Sequence, residues 1–432
     1  MTTSTPTAKH FAFAGMLARG VVSQVILAAG NFAVTLILLR YGSNAQYAYY
    51  VLVFGAVMLV ISLQGAFVGP ALVNQLARLE SKQRADLIGG LFAGQRRVLP
   101  RIVLACLAGI AALWLLNLLN DDAASILLVA IGTAWAALYR QFARMVSNAY
   151  RDSTAALTGD LAYVAILVCG AALGIRTSVP AIVTLAFMGL GSIAGGVVNS
   201  RLLWKRERWN INAASHVWRN IAAVGAWTGA GSVAHWALGQ GYNYLVVAYL
   251  NLTAIAALGS TRTLMMPVNL LSTGVSALML STVSVWLLKE GTRGALRRVT
   301  LTAAAIAGLA LLYPVLFWPV RGFIFTDILH KTFAERDLLL ILWSAASVVM
   351  VARDQFVNFV LARTRYRALT GLTVTAAIAS LTVSYCLVRG IGVAGAPLGV
   401  LTGEIVNLAG LIVLSRLELR RDGEGRRANQ GT

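Results

Sequence analysis

Charged side chains are scarce in this sequence: they make up 12% of its 432 residues, whereas hydrophobic residues make up 58%. A soluble globular protein carries roughly 25% charged residues. A water-soluble fold of this size could not cover so much apolar side chain, which excludes an ordinary soluble enzyme or binding module. A lipid bilayer removes that requirement, because the outer surface of a membrane protein faces hydrocarbon.

Cysteine and histidine are also scarce, with three and four residues respectively. Cys106, Cys169 and Cys386 each lie in an apolar run, and no pair has the spacing of metal ligands, so they are predicted to be small buried apolar residues. The histidines form no cluster, and no phosphate-binding glycine loop or nucleophile motif occurs. The sequence therefore predicts no cofactor, no metal and no catalytic residue, and the protein is not expected to be an enzyme.

Long apolar runs are abundant. A spanning helix needs roughly 20 apolar residues. Twelve stretches meet this condition, at about 12–39, 46–72, 99–119, 124–146, 155–175, 179–203, 220–248, 254–287, 299–319, 337–361, 369–388 and 391–415. They predict an all-α polytopic membrane protein with about 12 transmembrane helices.

The net charge of +20 could by itself indicate a nucleic-acid-binding protein. The placement of the charge favours another explanation. Of the 36 Lys and Arg residues, 28 fall on the side of the predicted spans that holds the N-terminus and 6 fall on the other, with Arg262 and Arg353 inside spans. Cytoplasmic loops collect such residues. The pattern predicts a bacterial cytoplasmic (inner) membrane protein with both termini cytoplasmic and no nucleic-acid partner.

Short matches suggest an internal duplication. The pair Gln-Phe at 141–142 recurs at 355–356, and Ala-Leu-Thr-Gly at 156–159 recurs at 368–371. Six helices per half make the two halves parallel repeats. The predicted organisation is an N-terminal six-helix lobe (1–215), a C-terminal six-helix lobe (216–417) and a disordered cytoplasmic tail (418–432). Two such bundles would enclose a central cleft.

Arginines inside or at the ends of the spans are candidates for binding an anionic substrate. Charged groups at bilayer depth are costly and often functional. Arg262 either contacts such a substrate or extends its head to the outer interface. Arg140, Arg144 and Arg353 form either a positive collar at the inner mouth of the cleft or a set of ordinary positive-inside residues.

Acidic and amide side chains in apolar runs give two further groups of candidates. Asp160, Asp354 and Glu404 are candidates for proton or ion coupling, because desolvation favours the protonated carboxyl. The amides either line the cleft and bind sugar hydroxyls or join helices to one another. These amides are Gln24 and Asn31 in the first span, and Gln240 and Asn243 in the seventh.

The stretch from about 15 to 75, which contains NFAVTLILLRYGSNAQYAYYVLVFGAVMLVISLQGAFVGPALVNQL, resembles the opening of Wzx-type oligosaccharide and polysaccharide flippases. These flippases belong to the multidrug/oligosaccharidyl-lipid/polysaccharide (MOP) exporter superfamily. The later stretch STRTLMMPVNLLSTGVSALMLSTVSVWLLKEG resembles the eighth helix of that family and the turn after it. The resemblance implies a V-shaped bundle with a cationic cavity. Its pyrophosphate contacts would come from Arg262 and, at the inner side, Arg19, Arg140, Arg144 and Arg353.

The resemblance also implies a function. The protein is expected to move a polyprenyl-pyrophosphate-linked oligosaccharide across the membrane by alternating access, for exopolysaccharide, capsule or O-antigen assembly. A polysaccharide polymerase and export proteins are candidate partners. Two alternatives remain open. A multidrug or cation antiporter of the same superfamily should line its lobes with acids. A polytopic polymerase or glycosyltransferase should carry a large outer loop, whereas the longest predicted here, about 320–336, is short.

Overall fold

The computed structural model describes residues 6–76, 79–212 and 216–430, and these residues contain no strand. They form twelve helices of twelve or more residues, which confirms the predicted all-α polytopic fold class. The helices are α1 (Pro6–Tyr41), α2 (Asn44–Leu76), α3 (Ser81–Leu115), α4 (Asp121–Ala149), α5 (Ser153–Gly174), α6 (Pro180–Arg206), α7 (His216–Tyr249), α8 (Leu252–Thr263), α9 (Met266–Phe317), α10 (Arg336–Ala362), α11 (Tyr366–Ile391) and α12 (Gly395–Gln430).

Within the described ranges, eight helical stretches are long and apolar enough to cross a membrane. Large apolar side chains remain exposed along them; Leu115 is 71% exposed and Leu316 is 68% exposed. Side chains of this size are costly to leave in water, and a bilayer covers them without a protein partner. The chain is therefore a multi-pass membrane protein.

The helices begin where the sequence supplies a cap. The side chain of Asn120 accepts a hydrogen bond from the amide of Ala123 at the start of α4, and Asn251 does the same for Ala254 at the start of α8, both at 2.9 Å. Each cap satisfies one of the amide groups that the first turn of a helix leaves without a partner. Pro180 lies in the first turn of α6, where its missing N–H costs nothing.

Two predicted boundaries in the second half are wrong. The expected span 254–287 is broken, because α8 ends at Thr263 and α9 begins at Met266, with Pro267 in its first turn. Arg262 therefore lies in the last turn of a 12-residue helix rather than about nine residues into a long one. The expected loop near 288–298 is a kink within α9, where Gly291 has φ 69°. Glycine adopts this left-handed conformation without steric cost.

Three further features differ from expectation. The basic segment before residue 99, expected as a loop, is helical from Ser81. Residues 418–430, expected as a disordered tail, continue α12 as a helix. The three cysteines, expected to be buried, are all exposed. They lie on apolar helices, and a lipid environment suits an exposed small apolar residue as well as a protein core does.

The chain divides into two compact units, residues 1–232 and 233–432, with the division inside α7. The predicted lobe boundary lies at 215/216. Unit 1 holds a core in which α2, α3, α4 and α6 meet, formed by Val68, Leu72, Leu76, Leu87, Ile88, Leu91, Phe142, Val146, Leu203 and Trp209. Unit 2 holds a core in which both halves of α9 pack on α10 and α12, formed by Met279, Val283, Ala295, Val299, Ala303, Phe356, Phe359, Val360 and Leu411.

Candidate functional site

A buried cluster of charged side chains lies in unit 1 around Asp160 of α5. This carboxylate has no exposed surface. Its two oxygens bind two arginines of α4: Oδ1 lies 3.1 Å from Nη1 of Arg140, and Oδ2 lies 2.9 Å from Nε of Arg144. The hydroxyl of Ser23 in α1 donates to the same Oδ2. Three helices are therefore joined through one carboxylate.

Local sequence spacing builds this cluster. Arg140 and Arg144 are one turn apart on α4 and therefore share a face. Tyr163 follows Asp160 by three residues on α5, and the guanidinium of Arg140 lies 3.7 Å from the centre of its ring. A cation over an aromatic face gains electrostatic stabilisation, most of all when water is excluded. The predicted neighbourhood of Arg140 and Arg144 is present, and Asp160 neutralises part of its charge.

Glycines allow the helices around this cluster to approach closely. A Cβ atom on Gly195 of α6 would lie 2.5 Å from the carbonyl oxygen of Gly159 and 3.3 Å from Cδ of Arg140. A Cβ atom on Gly159 would lie 2.1 Å from Oδ1 of Asn199. Real side chains cannot pack at such distances, so α5 and α6 can adopt this separation only with glycine.

Asn199 of α6 is a buried polar residue that the sequence analysis missed. It has no exposed surface, and neither Oδ1 nor Nδ2 has a hydrogen-bond partner among the described residues. An amide inside the apolar run 179–203 was the signal that could have identified it. Buried amide groups without partners are unfavourable, and those that persist in a native fold often serve a function or hold water.

The predicted polar residues of α1 lie in different surroundings. Gln24 is exposed, and it is the neighbouring Ser23 that is buried against Asp160. Asn31 is half-buried, and its Oδ1 is a buried atom without a hydrogen-bond partner. Arg19 is exposed, and its Nε donates to the hydroxyl of Ser153 at 3.1 Å. The structure therefore brings one side chain of α1, Ser23, into the cluster.

A second buried cluster lies in unit 2 around Arg353 of α10. Its Nη2 lies 2.8 Å from Oδ1 of Asp354, and its Nη1 lies 3.3 Å from Oε2 of Glu404 in α12. Arg353 and Glu404 are 3% and 4% exposed, so this ion pair is shielded from solvent. The hydroxyl of Ser272 donates to Oδ2 of Asp354 at 2.6 Å. Arg353 is thus neutralised by two carboxylates.

Arg262, also in unit 2, is held by neutral groups. Its Nη1 donates to the carbonyl oxygen of Gly239 at 2.6 Å and to the hydroxyl of Tyr242 at 2.9 Å. Its guanidinium carbon lies 5.6 Å from the ring centre of Tyr242 and 5.2 Å from that of Trp343. In the part of the chain that the structure describes, it forms no ion pair with a carboxylate within 4 Å, although Glu404 is near enough to attract it electrostatically. Its positive charge is therefore uncompensated by an ion pair.

The two amides predicted on α7 do share a face. Nδ2 of Asn243 donates to Oε1 of Gln240 at 3.0 Å, and Asn243 is 1% exposed. Oδ1 of Asn243 is a buried atom without a partner among the described residues. The pair therefore has one remaining acceptor for a further hydrogen bond.

A carboxylate outside the spanning segments also holds helix ends together. Glu207, which caps the C-terminus of α6, accepts hydrogen bonds from the hydroxyls of Tyr150 and Ser81. Its Oε2 lies 3.6 Å from Nε of Arg84. Burial and the hydrogen bond to Glu207 raise the pKa of Tyr150 above its ordinary value. The tyrosine hydroxyl therefore keeps its proton and acts as a donor.

Among the described residues, no group of three or more His, Cys, Asp or Glu side chains could hold a metal ion.

Comparison with known proteins gives the class of the fold. No protein family model matches the chain, and no curated protein matches it in sequence. Solved structures do match. An inward-facing multidrug resistance MATE family transporter of the MOP superfamily superposes with a TM-score of 0.70 at 11% identity, covering 94% of this chain and 98% of the other.

A second structure, the lipid II flippase MurJ in an inward closed conformation, gives a TM-score of 0.70 at 13% identity, covering 91% of this chain and 87% of the flippase. MATE in the straight conformation gives 0.68 at 13% identity, covering 95% and 96%. The chain therefore has the fold of the MATE and MurJ transporters. At these identities the likeness establishes the fold alone.

Proposed function

We propose that this protein is a flippase that moves a polyprenyl-pyrophosphate-linked oligosaccharide across the bacterial cytoplasmic membrane, for exopolysaccharide, capsule or O-antigen assembly. The observation that carries the proposal is the state of Arg262, which is half-buried and has no carboxylate partner among the described residues. The protein shares its fold with a structure named as a lipid II flippase. The proposed role is not enzymatic.

The surroundings of Arg262 suit an anionic headgroup. Both of its hydrogen bonds to described residues come from Nη1, so Nε and Nη2 can donate to another group. A guanidinium presents its donors in a plane that matches two phosphate oxygens at once. Its hydrogen-bond partners are neutral and form no ion pair with it, so the guanidinium can pair with an anion that approaches.

The alternative function, a multidrug or cation antiporter, has the same fold. Such a transporter needs carboxylates that can hold an organic cation. In this chain the buried carboxylates Asp160 and Glu404 each bind arginine. A carboxylate that already faces a guanidinium attracts a second cation weakly, because the two cations repel each other. This arrangement supports an anionic cargo.

The proposed mechanism is alternating access, coupled to protons or ions through Asp160, Asp354 and Glu404. The contacts suggest how coupling could act. Protonation of Glu404 would remove one of the two ion pairs of Arg353, and protonation of Asp160 would release Arg140 and Arg144 together. We propose Arg262 and the exposed Arg19 as contacts for the pyrophosphate, and Gln240 with Asn243 as a contact for sugar hydroxyls.

The proposal is tested by transport in proteoliposomes. Purified protein is reconstituted into liposomes that carry a fluorescent polyprenyl-pyrophosphate oligosaccharide in one leaflet. The appearance of this lipid in the opposite leaflet is followed by fluorescence quenching. Arg262→Gln should slow transport about tenfold or more, because a charge-assisted hydrogen bond is worth about 1.5–3 kcal/mol. Arg262→Lys should retain part of the rate, since it keeps the charge but not the paired donors.

Arg389→Gln is the matched control. Arg389 is another arginine of unit 2 that donates to a tyrosine hydroxyl, that of Tyr385 at 2.8 Å, and lies 5.4 Å from its ring centre. It is exposed on α11, and its loss should leave the rate unchanged. Equal rates for the Arg262 and Arg389 variants would contradict the role of Arg262. Export of ethidium with no movement of the lipid-linked sugar would favour the antiporter.

A further inference from the structure

We propose that a pocket at the C-terminal end of α6 binds the phosphate headgroup of an anionic phospholipid. The pocket has a volume of about 700 Å³. It is lined by Arg201, Trp204, Lys205, Arg208, Trp209 and Ile211. It belongs entirely to unit 1 and contains none of the residues assigned to cargo or coupling, so this inference stands independently of the transport proposal.

The pocket carries three cations that have no ion pair. Arg201 and Lys205 are one turn apart on α6 and share a face, and Arg208 follows two residues after the helix ends. No carboxylate of a described residue lies within 4 Å of any of them. The adjacent Glu207 does not neutralise them, because it binds Arg84, Tyr150 and Ser81. Three positive charges held close together favour the binding of an anion.

Trp209 forms a fixed part of the pocket wall. It is 7% exposed, and its Nε1 is a buried donor with no hydrogen-bond partner among the described residues. Its ring is fixed edge-on against Phe142 at 6.1 Å and Trp204 at 6.0 Å between centroids. A buried donor without an acceptor is unfavourable. The Nε1 atom is closed off from the pocket, so the contribution of Trp209 is the fixed ring that forms part of the pocket wall.

The location of the pocket selects a lipid over a free phosphate. The stretch Pro180–Arg206 is apolar and long enough to cross a membrane, and the pocket surrounds its last turn, where a spanning helix meets the headgroup layer. Trp204 is 47% exposed there, and tryptophan is enriched at this depth. Ile211 adds apolar lining beside the cations. Basic side chains next to an apolar surface match a phospholipid, because its anionic headgroup is joined to apolar acyl chains.

The test measures lipid binding to the purified full-length protein in detergent by native mass spectrometry. The probes are phosphatidylglycerol and zwitterionic phosphatidylcholine. The pocket variant is R201Q/K205Q/R208Q. The matched control, R96Q/R97Q/R101Q, removes the same charge from three exposed arginines of α3 in the same unit. All six side chains are exposed, so neither variant disturbs the core.

Affinity for phosphatidylglycerol should fall at least tenfold in the pocket variant and less than twofold in the control, because each basic residue near an anionic surface contributes separately. Lys205→Gln alone should give a partial loss, and raised salt should weaken binding to the unaltered protein.

Four results would overturn the assignment. The pocket and control variants could bind phosphatidylglycerol equally, or phosphatidylcholine could bind as tightly as phosphatidylglycerol. Displacement of the lipid by an equal concentration of inorganic phosphate would identify a soluble anion as the ligand. Binding of a polyprenyl pyrophosphate more than tenfold tighter than phosphatidylglycerol, and lost in the pocket variant, would assign the pocket to the proposed cargo instead.

Discussion

The buried charge clusters of the two units have opposite compositions. In unit 1 one carboxylate, Asp160, faces two guanidinium groups, whereas in unit 2 one guanidinium, that of Arg353, faces two carboxylates. The fourth helix of each half supplies the arginine. The main buried acid comes from α5 in unit 1 and from α12, the sixth helix of its half, in unit 2. Each unit therefore holds a buried ion pair that includes an arginine of its fourth helix, but the two pairs join different helices.

This difference in composition predicts how the stability of each unit should change when one charged side chain of its cluster is removed. Removing one partner of a buried ion pair is costly mainly because it leaves the other charge buried and unpaired. Among the described residues, the unit 1 cluster has no second acid that could pair with Arg140 or Arg144 in place of Asp160. The unit 2 cluster has one, because Arg353 contacts both Asp354 and Glu404.

The largest expected effect is that of Asp160→Asn. It leaves Arg140 and Arg144 buried without a carboxylate, so we expect a loss of about 3–5 kcal/mol of stability. The measurement is the midpoint of thermal unfolding in detergent, followed by size-exclusion of the remaining folded protein. Asp152→Asn is the control: Asp152 caps α5, asparagine caps equally well, and its pair with Arg206 at 3.9 Å is partly exposed.

Glu404→Gln should cost less, about 1–3 kcal/mol, because Arg353 keeps Asp354 and glutamine can still accept a hydrogen bond. The same thermal assay measures it. Adding Asp354→Asn in that background removes the second acid, and the double variant should then lose as much stability as Asp160→Asn. A single Glu404→Gln change that already costs as much as Asp160→Asn would mean that Asp354 does not compensate.

The last prediction, which includes the smallest expected effect, concerns two glycines at matching positions of the predicted repeat. A Cβ atom on Gly159 meets buried Asn199, whereas a Cβ atom on Gly371 meets nothing within 4 Å. Gly159→Ala should destabilise by about 1–3 kcal/mol through overpacking. Gly371→Ala should stabilise by up to about 1 kcal/mol, because alanine favours a helix. Similar shifts for both variants would show that the close approach of α5 and α6 does not depend on the glycine at 159.

Parts of the site followed from spacing along the chain. Arg140 and Arg144 share a face because they are four residues apart, and Arg353 reaches its neighbour Asp354. The missed residues are those whose importance depends on packing. Ser23 rather than Gln24 faces Asp160, because the orientation of α1 about its own axis decides which side chain is buried. Nothing in the sequence fixes that rotation.

The sequence by itself determined that the chain crosses a membrane many times as helices. Apolar runs of sufficient length must insert, and a helix satisfies every backbone group within one segment, so both outcomes follow from local sequence. The tertiary structure alone decided how the buried charges are paired. Asp160 and Glu404 lie on different helices from their arginines, and their contacts depend on how closely and at what rotation those helices pack. The absence of an ion pair at Arg262 has the same origin, since it follows from which side chains of α7 and α10 the fold brings to the end of α8.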